Sequence, residues 1–238
     1  LDALSSSGVD VYNFCSLIFV YLNKVKNKVM KFIMSIFLCI AFIINISAQK
    51  KYSTKYIKEK KILAKKLTQK NHKKTQIMVD KIFSFAELGF HEVESSKYLT
   101  NILENANFKI DYQISGIPTA WFAKWSNGEG PVIALGSDVD GIPKASQYPG
   151  VAYHKPMVEG APGHGEGHNS GLPVVITAAL AVQKIMEDNN IKGTLIIWPG
   201  IAEEQLGSKA WYVRDGYFDD VDMCIFTHVS SNMSVSWG

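Results

Sequence analysis

Pro162-Gly163-His164-Gly165-Glu166-Gly167-His168-Asn169-Ser170-Gly171 sets two histidines and a glutamate between glycines. A helix-forming run rich in Ala, Val and Ile follows from about Leu172 to Asp188, and a strand-like run follows that at 194–198. Loop, helix and strand in this order build a parallel, helix-covered sheet. Glycine removes side-chain bulk and admits positive φ, so the loop can close tightly around something small. Imidazole and carboxylate are both ligands for a divalent transition metal. A lone histidine in such a loop commonly serves as a hydrogen-bonded turn residue. Two histidines and a glutamate within five positions move the reading toward a metal site.

Downstream come Ala202-Glu203-Glu204, a helix at about 207–215, a strand at 223–227 and then His228. Upstream, strand-like runs cover Phe108 to Gln113, Thr119 to Trp125 and Val132 to Gly136. Asn127-Gly128-Glu129-Gly130 separates the last two and reads as a hairpin turn. The expected fold class is α/β, with a helix-covered, mainly parallel sheet. In such sheets ligands bind beyond the carboxyl ends of the strands. Asp138 and Asp140 follow one strand, Glu203 and Glu204 a second, and His228 a third. All three groups therefore fall on one edge. Residues 144–161 read as a long loop, and long ordered loops in compact domains are often functional.

Glu166, His168, Glu204 and His228 are the expected metal ligands. Adjacent carboxylates suit a division of labour, with Glu204 on the metal and Glu203 accepting a proton from water as general base. A bound metal lowers the pKa of water from about 15.7 to about 7, which makes a nucleophile at neutral pH. The same Glu-Glu pair also suits a solvated helix start stabilised by the helix dipole. Asp140 is placed with Glu203 in the catalytic set. It and Asp138 either orient a ligand imidazole or simply form the turn Asp140-Gly141-Ile142-Pro143. His164 is compatible with metal, with substrate or with an ordinary hydrogen bond. His91 and His154 read as loop residues outside the ligand set. Cys224 sits in an apolar run and reads as a small core residue.

Composition limits the partners. The chain has 238 residues, 47% of them hydrophobic, and a formal net charge of +3. Residues 50–74 hold eleven lysines and one acidic residue, Glu59. From Thr75 onward ten basic residues face nineteen acidic ones. An acidic body argues against nucleic acid as a partner. The three cysteines, Cys15, Cys39 and Cys224, do not make a disulfide framework.

Lys24, Lys26, Lys28 and Lys31 flank a thirteen-residue apolar run, Phe32 to Ile44, and Ile46-Ser47-Ala48 precedes Gln49. That is the layout of a secretory signal peptide, so export to the periplasm or medium is expected, with no stable membrane insertion after its removal. Residues 50–86 read as one long helix, from apolar positions recurring at spacings of three and four. Ser95 to Asn105 reads as a second, after Glu87-Leu88-Gly89-Phe90-His91-Glu92 breaks the pattern. The expected division is a leader over 1–48, a basic helical lead-in over 49–76 and a catalytic domain over 77–238.

From Ile77 onward the sequence resembles the metal-dependent amidohydrolase and carboxypeptidase family, which includes aminoacylases, hippurate hydrolases and aminobenzoyl-glutamate hydrolases. The markers are Glu87-Leu88-Gly89-Phe90, Asp138-Val139-Asp140-Gly141-Ile142-Pro143, Gly163 to Asn169, Ala202-Glu203-Glu204 and His228. The resemblance implies two zinc or manganese ions, Glu203 as general base, and Glu204, His168 and His228 as ligands. It implies a small-molecule or short-peptide substrate and a homodimer when full length. The amidohydrolase branch usually has Cys where this chain has Glu166. A carboxylate is a harder ligand and shifts the metal preference toward oxygen-rich coordination. That departure leaves a catalytically inactive metal- or peptide-binding relative as the alternative. The resemblance also implies an inserted dimerisation domain and a final ligand His beyond Gly238.

Overall fold

The computed structural model describes residues 52–236. Cys15, Cys39 and the expected signal peptide lie outside the described residues. Contacts divide the chain between Tyr56 and Ile57, and apart from helix residues 54–56 the fold below lies in Ile57–Gly238.

Helices α1 (Thr54–Lys70), α2 (His72–Phe85) and α3 (Val93–Glu104) come first. The expected single helix over 50–86 is thus two, parted at Asn71. Asn71 turns its own side chain back to the Leu67 carbonyl, a bond that competes with the helix ladder. Strands β1 (Lys109–Tyr112), β2 (Trp121–Ser126) and β3 (Val132–Asp138) follow. Then come α4 (His168–Asp188), β4 (Thr194–Gly200), a short 3-10 turn at Glu203–Gln205, α5 (Lys209–Arg214) and β5 (Met223–Thr227).

The sheet order is β1-β2-β4-β3-β5. β3 runs parallel to β4 and to β5, while β2 is antiparallel to both β1 and β4. The expected hairpin at 127–130 does not form, because β4 lies between β2 and β3. The Asn127 side chain instead donates to the carbonyls of Met186 and Ile191, which fastens this turn to the end of α4. β3 then crosses over through α4 to enter its neighbour in parallel, the connection a parallel pair needs.

One face of the sheet carries α4. Its Leu172, Val175, Ile176 and Ala179 are buried, and the helix also packs on α2. By length and composition α4 could cross a membrane, but 61% of its most apolar window is buried inside the molecule, as in a core helix. The opposite face has an aromatic row. Phe122, Trp198, Gly136 and Phe226 lie side by side on β2, β4, β3 and β5. Gly136 leaves the space that the indole fills, since a Cβ there would sit 2.5 Å from the Trp198 ring. Tyr212 and Phe218 close over the row, with Trp198 and Phe218 ring centroids 5.0 Å apart.

β5 is an edge strand and stays largely exposed. The expectation of a core position for Cys224 is corrected here: among the described residues it is exposed on this edge strand.

Candidate metal centre

The parallel strands β3, β4 and β5 end together, and each sends chemistry past its end. Asp138 and Asp140 come from β3, Glu203 and Glu204 from β4, and His228 from β5. The fourth contribution is the glycine loop before α4. That helix begins at His168, four residues earlier than its apolar run, so His168 stands on the first turn. Gly167 precedes it with φ 83.

His168 is buried, and its Nδ1–H donates to the Asp140 carbonyl at 3.0 Å. Asp140 Oδ1 stands 3.4 Å from the same nitrogen. His228 Nδ1–H donates to the Val229 carbonyl at 2.7 Å. With both Nδ1 atoms occupied as donors, the two Nε2 atoms are left to face each other at 3.1 Å. Glu166 Oε2 lies 3.9 Å from one and 3.7 Å from the other. The two Nε2 atoms and the carboxylate thus enclose one small space that a proton or a bound cation can fill.

Donor atoms of Glu166, His168, Glu203 and Glu204 lie within 4.8 Å of one another, as do those of Asp138, His168 and His228. His168 belongs to both sets. Glu204 Oε1 is shielded from solvent and makes no hydrogen bond within the described residues. Desolvation, and then the charge of Glu166, raise the Glu204 pKa. Burial alone would lower the pKa of His168, but the Asp140 hydrogen bond and the charge of Asp138 outweigh it and bring it to about 9. Crowded acids and a proton-hungry imidazole both express a missing positive charge. The donor set therefore fits a divalent ion.

All four expected ligands and Glu203 thus meet at one rim. Asp140 acts on two of them at once, since its Oδ2 also accepts the Glu204 N–H at 3.0 Å. His164 is turned away, with its Nε2 3.1 Å from the Ile82 carbonyl on α2. His91 and His154 are exposed. Sequence reasoning missed Lys209. Its Nζ is 2.8 Å from Asp138 Oδ1 and 3.8 Å from Glu203 Oε1. A lysine opening a short helix carries no signal of such a role. A groove of about 770 Å³, lined in part by Tyr98, Tyr112 and Trp121, holds none of these donors.

No family model matches the chain. It is 35% identical over 151 residues to a p-aminobenzoyl-glutamate hydrolase of Escherichia coli, covering 63% of this chain and 31% of that protein. It is 28% identical over 156 residues to IAA-amino acid hydrolase ILR1-like 2 of Arabidopsis thaliana, covering 64% and 33%. Among solved structures it is similar to a dinuclear metal-binding peptidase of the M20 family from Bacillus subtilis. The TM-score is 0.55 at 23% identity, over 70% of this chain and 45% of the other. The chain shares the fold of this peptidase over the part that aligns. It spans about a third of the length of the curated relatives it matches. In this fold the donors at the strand ends lie where the general rule for open α/β sheets puts a ligand.

Proposed function

We propose that the chain carries the catalytic machinery of a metal-dependent hydrolase that cleaves an amide bond in N-acyl amino acids or small peptides by means of an activated water. One observation carries this reading: Glu166, His168, Glu204 and His228 converge on a common rim beside a further carboxylate, Glu203. The relatives named as hydrolases of p-aminobenzoyl-glutamate and of IAA-amino acids support the substrate class. The relative described as dinuclear, and the two donor sets sharing His168, support two ions. The oxygen-rich set created by Glu166 is suited to manganese or to zinc.

When bound, the ions supply Lewis acidity and lower the pKa of water. Glu166, His168, Glu204 and His228 would hold them. Asp140 fixes the His168 ring through Nδ1 and the Glu204 backbone through its N–H. Glu203 takes the proton from the attacking water and passes it to the leaving amine, so that the C–N bond breaks to a free acid and a free amine. Lys209 stands between Asp138 and Glu203 and offsets their charge.

The test is Glu203→Gln in the complete protein loaded with zinc or manganese. Turnover of p-aminobenzoyl-glutamate should fall by about 10²–10⁴-fold, while calorimetric metal affinity stays near wild type. Wild-type turnover in this variant would remove the assigned base. Glu166, standing where the amidohydrolase branch usually has Cys, favours a second reading as an inactive binding relative. Metal binding without hydrolysis across a panel of N-acyl amino acids would select it. Export belongs to the proposal and predicts a mature N-terminus at Gln49. So does a homodimer, which sedimentation of the complete protein tests.

A further inference from the structure

Glu87-Leu88-Gly89-Phe90-His91-Glu92 joins α2 to α3 and supplies neither a metal donor nor the base. It nevertheless holds the most deeply buried carboxylate outside the site among the described residues. Glu92 is 0% exposed. Its Oε1 accepts the Ala202 N–H at 2.9 Å, and its Oε2 accepts the Thr119 hydroxyl at 2.9 Å. Desolvation raises its pKa, and the hydrogen bonds only partly compensate. Burying a carboxylate is costly unless its partners reward it. One of those partners is the residue immediately before Glu203.

Ala202 needs the support. It adopts φ 52, ψ 44, the left-handed region that a residue with a Cβ avoids. From that conformation Glu203 and Glu204 project toward the rim. Side chains hold three N–H groups of this turn: Ser208 Oγ takes that of Ile201, Glu92 that of Ala202, and Asp140 that of Glu204. Gly89 lets the 87–92 segment lie directly on the turn, since a Cβ there would meet Ala202 Cα at 2.9 Å. The other end of the segment is tied down as well. Glu87 caps α3 with both carboxylate oxygens, 2.8 Å from the N–H groups of Glu94 and Ser95, and its carbonyl accepts the Gly141 N–H at 2.8 Å. One short strap thus grips the chain just after Asp140 and the chain just before Glu203.

We propose that Glu92 is a positioning residue: its buried carboxylate pins Ala202 in the left-handed turn and thereby sets where Glu203 and Glu204 stand relative to Asp140 and His168. The proposal rests on the reading of Glu203 as base and Glu204 as ligand, and its first readout is independent of that reading.

The experiment compares Glu92→Asp and Glu92→Gln in the complete protein. Aspartate draws the carboxylate back by one methylene, out of reach of Ala202, and glutamine keeps an acceptor at the same length. Amide hydrogen exchange across 201–206, measured without metal, should become about tenfold faster in Glu92→Asp. It should stay near wild type in Glu92→Gln, with β3 and β4 unchanged in both. In the zinc-loaded protein, kcat for p-aminobenzoyl-glutamate should fall at least about tenfold in Glu92→Asp with KM within about twofold, and return in Glu92→Gln. Unchanged exchange over 201–206 in Glu92→Asp overturns the proposal. If that variant does not fold, Gly89→Ala takes its place, since a Cβ there meets Ala202 Cα at 2.9 Å and lifts the strap that carries Glu92 off the turn, and unchanged exchange there overturns the proposal equally. Absence of turnover in the wild type would defeat the hydrolase reading, while the exchange result still decides Glu92.

Discussion

At His168 the two ring nitrogens have separate tasks. Nδ1 is fixed by Asp140, and Nε2 faces His228 and Glu166. Without metal, the folded-state pKa of about 9 stands above the ordinary 6.5. The bound proton therefore stabilises the fold fully below pH 6.5, and that stability is lost as pH rises through 9. Thermal unfolding in chelator should show a midpoint that declines between these values; a flat profile would contradict the assignment. Zinc or manganese affinity should move the opposite way and rise over the same interval, because metal and proton compete for Nε2. Asp140 serves both His168 and the Glu204 backbone, so Asp140→Ala should weaken calorimetric metal affinity by about 10- to 100-fold. These residue types were legible in the chain from their glycine-bounded spacing. The double service of Asp140 was not, because it depends on which oxygen faces which loop. Lys209 and Glu92 were hidden for the same reason: a lysine opening a helix and a glutamate preceding one look ordinary until distant strands bring them their partners.

Among the elements, the strands and α4 could be read from apolar runs, but their neighbours could not. Asn127-Gly128-Glu129-Gly130 has hairpin chemistry, yet a turn sequence says nothing about a later strand inserting between its flanks. β4 does so, and the inserted Trp198 then joins Phe122 and Phe226 across Gly136. Trp198 is 4% exposed at the centre of this row. Trp198→Ala should cost about 3–5 kcal/mol in urea unfolding, from lost transfer energy and the cavity left behind. β5 misled in the opposite direction. Its apolar residues suggest a buried strand, while among the described residues it lies at an edge.

For the whole molecule, the centre exists only because three parallel strands end at one rim and the loop before α4 reaches it. A site assembled from such distant segments binds metal in the folded state and not in the unfolded one. Its ion must then stabilise the complete protein. At free metal 100-fold above Kd the gain is about 2.7 kcal/mol. Chelation should lower the thermal midpoint by several degrees, and re-addition of zinc or manganese should restore it; a midpoint indifferent to metal would contradict the site.

The order of the segments, the residue types at their ends and the α/β class follow from the sequence by itself, because apolar period and glycine spacing are local properties of a chain. Strand neighbours, the direction of each donor nitrogen, the grip of Glu92 on Ala202 and the exposure of β5 were decided only by tertiary structure. Each is a relation between residues far apart in sequence, and hydrogen bonds at about 3 Å record positions that no local pattern contains.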